Sequence, residues 1–150
     1  MRALTSLRRA AGRLAAVVLP ALAGCGPTFQ YAEVEGTVTL DGRPLSGVKV
    51  VFYPEAEGPE QLPYATGVTD DGGVYRLTAV TGKPGALVGK NLVVVAWPPQ
   101  GRSADPDQPP PPPPSPPIPL PYTVADETPL HFEVKPGPRQ TIDLPLRHNY

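Results

Sequence analysis

Six consecutive prolines, Pro109 to Pro114, stand in the second half of this 150-residue chain. Proline fixes φ and lacks a backbone donor, so the run can join neither a helix interior nor a sheet ladder. Thirteen of the 24 prolines fall between Pro98 and Pro121, which marks residues 98–121 as one low-complexity insert in an otherwise ordinary chain. Prolines and the 15 glycines together fill more than a quarter of the positions while 18% are charged. That composition excludes a helical bundle or coiled coil. What remains outside the insert and the N-terminal segment suffices for one small β domain and leaves no room for a second.

Only Ser115 interrupts the prolines between Pro109 and Pro117. These nine residues predict a stiff polyproline II rod of roughly 28 Å, with Gly101 to Gln108 as its flexible entry. Pro109, Pro110, Pro111, Pro112, Pro113 and Pro114 then read either as a docking ligand for an aromatic groove on a partner or as a spacer.

The first 24 residues carry Arg2, Arg8, Arg9 and Arg13 and no acid, followed by an apolar stretch from Leu14 to Ala23. Ten residues span only about 15 Å as a helix, about half of a bilayer's hydrocarbon, and Pro20 interrupts them. The layout is that of a secretory signal peptide over residues 1–24 rather than a retained membrane span. The tetrapeptide Leu22-Ala23-Gly24-Cys25 resembles the lipobox of bacterial lipoproteins. That resemblance implies cleavage between Gly24 and Cys25, and a lipid on the Cys25 thiol. A single cysteine has no disulfide partner, which agrees with this use. Gly26, in place of an Asp, is similar to lipoproteins that proceed to the outer membrane.

Without the leader, nine basic residues face 14 acidic ones, a net charge of −5. A mildly acidic chain with scattered cations does not fit nucleic-acid binding.

Residues 25–33 read as a tether. Val34, Gly36, Val38 and Leu40 then alternate with polar residues, the period of a half-buried strand, and Asp41-Gly42 predicts a tight hairpin. A returning strand covers 44–53, with Val48, Val50 and Phe52 on one face and Lys49, Val51 and Tyr53 on the other. A loop over 54–63 leads to a second expected hairpin, 65–69 and 74–78 around Asp70-Asp71-Gly72-Gly73. Val80 to Ala86 reads as loop, and the continuous apolar run from Leu92 to Trp97 as a central strand. Leu130, Phe132 and Val134, then Ile142, Leu144 and Leu146, supply the last two strands. Seven short strands without a helix-period segment predict an all-β, seven-stranded antiparallel β-sandwich over 34–146, with a short tail at 147–150.

The run Val34-Glu35-Gly36-Thr37-Val38-Thr39-Leu40-Asp41-Gly42-Arg43-Pro44-Leu45, with Gly47 to Phe52, resembles the opening of carboxypeptidase regulatory-like (transthyretin-like, prealbumin-type) domains. Thr69 to Leu77 is similar to their second hairpin. Ile118-Pro119, Tyr122, Thr128-Pro129-Leu130 and Val134-Lys135-Pro136-Gly137 resemble bacterial lipoprotein members with a proline-rich insert. The resemblance implies a transthyretin-like sandwich used as an accessory or surface module. It does not imply peptidase activity, since the zinc enzyme is a separate domain. The chain departs from the family at Gly82 to Gly89, where members place a Gly-x-Pro-Pro-Gly-x-Tyr loop. The fold also hosts a hydroxyisourate hydrolase, but that family ends in Tyr-Arg-Gly-Ser and this chain in Arg147-His148-Asn149-Tyr150.

The candidate chemistry is sparse. Two histidines, His131 and His148, make no zinc set, and Ser46, Ser103 and Ser115 lack a nucleophile motif. Asp70 and Asp71 read as turn residues rather than calcium ligands. Lys49 and Asn91 are the residue types of an isopeptide crosslink. Trp97, Tyr53, Tyr64 and Tyr122 offer aromatic faces for sugar stacking or for packing. The sequence therefore predicts a lipid-anchored cell-envelope protein, at the periplasmic face of an outer membrane or at the cell surface. It acts as a non-catalytic binding or structural module without cofactor or metal. Its expected partners are the membrane, through Cys25, and an envelope protein or polysaccharide. The alternatives are a carbohydrate-binding accessory protein and a transthyretin-like hydrolase.

Overall fold

The computed structural model describes residues 29–55, 61–99 and 114–148. Among these the chain is all-β, with twelve strand segments and one 3₁₀ turn, Leu120–Thr123. The segments are β1 (Tyr31–Ala32), β2 (Val34–Leu40), β3 (Arg43–Pro44), β4 (Lys49–Pro54), β5 (Ala65–Val68) and β6 (Val74–Arg76). There follow β7 (Thr78–Ala79), β8 (Ala86–Leu87), β9 (Gly89–Ala96), β10 (His131–Val134), β11 (Gln140–Thr141) and β12 (Leu144–Leu146).

One sheet has the order β10-β9-β4-β5-β7, all antiparallel. The other is built on β2, which pairs antiparallel with β6 and β3 on one edge and parallel with β11 and β12 on the other. Buried side chains of both sheets, among them Val38, Tyr75, Leu144 and Leu146 from one and Val50, Phe52, Val93 and Val95 from the other, form one apolar cluster. The arrangement is thus β-sandwich-like. Burial of these aliphatic and aromatic groups supplies most of its stability.

Each of the seven expected runs contains a strand, but three differ from the expectation. The returning strand 44–53 is broken. After the Asp41-Gly42 turn, whose residues take φ of 50° and 80°, β3 pairs briefly with β2. The chain then crosses to the other sheet, held by Leu45 N–H to the Val38 carbonyl and Gly47 N–H to the Thr69 carbonyl. The second hairpin is a tight turn without a paired ladder: β5 pairs with β4 and β7, whereas β6 pairs with β2. Finally, the C-terminal run lies parallel to β2, correcting the all-antiparallel expectation. Two segments expected to lack strands hold them: Tyr31–Ala32 of the tether pairs with Ala86–Leu87 at the end of the Gly/Pro loop.

The parallel edge is interrupted at Ile142–Asp143, and side chains complete its hydrogen bonds. The Tyr75 hydroxyl donates to the Ile142 carbonyl at 2.6 Å, and Thr37 N–H donates to the Asp143 carboxylate at 2.9 Å. Gly36 makes the crossing feasible, because a Cβ there would sit 1.8 Å from the Ile142 carbonyl oxygen. Burial pushes the Tyr75 hydroxyl well above its ordinary pKa, with the Asp143 charge adding to the shift, so it stays a donor.

Candidate functional site

Gly24, Cys25 and Pro109 to Pro113 lie outside the described residues. Pro114 is described, half-buried, in the coil that leads to Ser115 and Pro116. The insert's two stems meet nonetheless. The Trp97 indole N–H donates to the Pro116 carbonyl at 3.1 Å, closing a neck between the two stems. Pro116 also lines a groove with Leu40, Asp41, Arg43, Leu45 and His148, so the neck sits at the Leu40 end of β2.

The four aromatic candidates separate. Tyr53 and Tyr64 pair at 5.6 Å between ring centroids, 38% and 39% exposed. Tyr53 shares with Val51 and Val94 the face of the five-stranded sheet that points away from the core. Tyr122 is buried and its hydroxyl accepts from Arg147 N–H at 3.3 Å. Trp97 is committed to the neck.

The polar candidates are likewise absorbed by local structure. The Asp70 carboxylate accepts from Gly72 and Val74 N–H, which is turn chemistry, while Ser46 donates to Asp71. His131 pairs with Glu55 and His148 with Asp41, in different grooves. Hydrogen bonding to His148 holds the Asp41 carboxyl below its ordinary value. Lys49 stands opposite Ala96 and Asn91 opposite Pro54, five residues apart along the same strand pair and on opposite faces. No crosslink joins them. The Asn91 amide instead donates to the Leu87 and Gly89 carbonyls, and its Oδ1 is buried without a partner. Among the described residues no group of three or more His, Cys, Asp or Glu side chains is placed to hold a metal ion. No described helix is long and apolar enough to cross a membrane.

A surface that the sequence does not announce lies at the other end of β2. Phe29, Tyr31, Lys83, Pro138 and Arg139 line an open groove of about 820 Å³. The first strand holds one wall, since Val88 N–H donates to the Gln30 carbonyl and Tyr31 pairs with Leu87. The Lys83 ammonium stands 5.6 Å from the centre of the Tyr31 ring, a cation–π contact. Arg139 donates to Glu33 at 2.9 and 3.0 Å and reaches Glu35 at 3.6 Å, while Arg76 holds Glu35 at 3.2 Å. These carboxylates, Glu33 first, raise the Arg139 pKa further. The Gln140 amide clasps the Pro136-Gly137-Pro138 turn by bonding Lys135 at both N–H and carbonyl. The contributing segments lie up to about a hundred positions apart, so only the tertiary pairing could assemble them. The one local hint is Phe29 and Tyr31 spaced by two, the period of an extended segment.

A scan against protein-family models, a search of curated proteins and a search of solved structures return no match to this chain.

Proposed function

We propose that this chain is a lipid-anchored cell-envelope protein whose seven-stranded, transthyretin-like β-sandwich of the carboxypeptidase regulatory-like type works as a non-catalytic binding or structural module. The observation that carries the reading is the tetrapeptide Leu22-Ala23-Gly24-Cys25 followed so closely by folded chain: among the described residues, Gln30 already bonds the body of the protein, accepting from Val88 N–H. Two or three acyl chains on Cys25 would anchor stably, at about 0.8 kcal/mol for each buried methylene. Two apposed sheets sharing one core support the sandwich part of the reading. Expression in a bacterial host, detergent phase partitioning and intact mass test it. Wild type should enter the detergent phase, lack residues 1–24 and carry the added lipid mass, and Cys25→Ser should stay aqueous. An unmodified, water-soluble wild type would refute it.

A second reading, a polysaccharide partner, is favoured by one feature: two half-exposed tyrosine rings side by side on the outer sheet face. Such rings stack on sugar faces. Tyr53→Ala and Tyr64→Ala should each release the protein from sedimenting cell-wall polysaccharide; retention by the double variant would exclude this face.

A further inference from the structure

We infer that the groove lined by Phe29, Tyr31, Lys83, Pro138 and Arg139 seats the protein against the surface of its own membrane, with anionic phospholipid headgroups as its ligand. The inference rests on acylation of Cys25 and adds an orientation to it. Three residues separate Cys25 from Phe29, so the two Cα atoms, four steps apart, are within about 14 Å however the chain runs. Phe29 belongs to the groove. An acylated Cys25 lies at the headgroup level, which holds Phe29 and the groove it lines within that distance of the bilayer surface.

The side chains there suit that neighbour. Phe29 is 37% exposed, a large apolar group at the mouth of an open groove. Apolar side chains such as Phe insert into the boundary between headgroups and acyl chains when a protein surface lies on a membrane. Lys83 forms no ion pair with a carboxylate among the described residues, so its ammonium is available to a phosphate. Lys83 and Arg139 face Glu33 as the one acidic residue of the groove lining, which leaves this surface positive on a chain that is acidic after its leader. The exposed Pro138 stands beside Arg139 and gives the groove a stiff rim. The seven residues of β2 separate this groove from the neck of the proline-rich insert, about 20 Å at the rise of a strand. The seating thus turns the neck away from the membrane.

The test uses the full chain, acylated in a bacterial host and reconstituted into vesicles of phosphatidylethanolamine and phosphatidylglycerol with brominated acyl chains. Acylation blocks Cys25, so Pro138→Cys and Val68→Cys each take one bimane label; Val68 is exposed on the outer sheet face. Bromine should quench the Pro138 label at least about threefold more than the Val68 label, because an interfacial group sits within reach of the upper acyl carbons. Phe29→Ser and Lys83→Glu should each bring the Pro138 signal down toward the Val68 level. The Lys83→Glu effect should vanish in phosphatidylcholine vesicles and at high salt. Equal quenching at the two labels in protein of acylated mass would overturn the seating and leave the anchor intact. An unacylated mass would overturn both.

Discussion

Replacing Gly36 by Ala adds one methyl group at the place where β2 meets the C-terminal edge. The new Cβ would lie 1.8 Å from the Ile142 carbonyl oxygen and 2.6 Å from its carbon, against a floor of 3.0 Å for real contacts. Relief requires the strands to part by at least 1.2 Å. The obstacle is backbone, and it is held on both sides. Ile142 N–H donates to the Glu35 carbonyl at 2.8 Å and the Ile142 carbonyl accepts from Tyr75 at 2.6 Å. A shift of that size lengthens both bonds beyond useful range. Each contributes about 1 kcal/mol, and the overpacking itself costs about 1–3 kcal/mol. The expected loss is therefore about 3–5 kcal/mol, a large share of the 5–15 typical of a domain. For a domain of this size it should lower the thermal midpoint by roughly 15–25 °C. Urea unfolding of a Cys25→Ser background, followed by Trp97 fluorescence, measures it. Gly42→Asn is the control, since nothing lies within 4 Å of a Cβ there and Asn tolerates positive φ; it should change stability by less than about 1 kcal/mol. If Gly36→Ala also falls below that value, the parallel docking of 140–146 on β2 is wrong.

Tyr75→Phe leaves the Ile142 carbonyl without its donor and should cost about 1–3 kcal/mol in the same unfolding assay. Asn91→Asp points a carboxylate at the Leu87 and Gly89 carbonyls that now receive the amide; it should cost about 3 kcal/mol or more at neutral pH, less as the solution is acidified, by thermal unfolding. The Asp41 carboxyl is lowered from its ordinary 3.8 by hydrogen bonds from His148, so its stabilising effect is complete above that value and is lost as pH falls through the lowered one. His148→Ala should move the Asp41 midpoint upward in an NMR titration. Deleting residues 100–113 while keeping Trp97 and Pro116 should leave unfolding cooperative with a small change in midpoint, since loop length enters stability at only about 0.6 kcal/mol per doubling.

Alternation made β2 legible because its even positions face the core and its odd positions do not, and the Asp41-Gly42 turn was legible because few other pairs accept positive φ twice. The apolar run at 92–97 likewise announced an interior strand: β9 lies between β10 and β4, with Val93 and Val95 in the core and Val94 covered on the other face. Direction was illegible. A strand shows period two whether its neighbour runs parallel or antiparallel, so nothing in Ile142, Leu144 and Leu146 declared the parallel docking on β2. A two-residue strand such as Tyr31–Ala32 has no period to read at all, and its pairing with Ala86–Leu87 turned an expected tether into a wall of the groove. The Lys49 and Asn91 pair failed for a related reason: residue types can suggest a bond, but register decides whether the two side chains ever meet.

The indole bond between Trp97 and Pro116 joins the two ends of the proline-rich insert and gives it its own doorway on the sheets. Because the stems are already joined, the sheets do not register how much chain passes between them. That makes the site a port for cargo: a fluorescent peptide, a split-reporter fragment or an affinity epitope grafted between residues 100 and 113 would enter without re-registering a strand. The cargo would leave the protein at the Leu40 end of β2, opposite Phe29. A probe carried there would report on what approaches the protein from the end remote from the Phe29 groove.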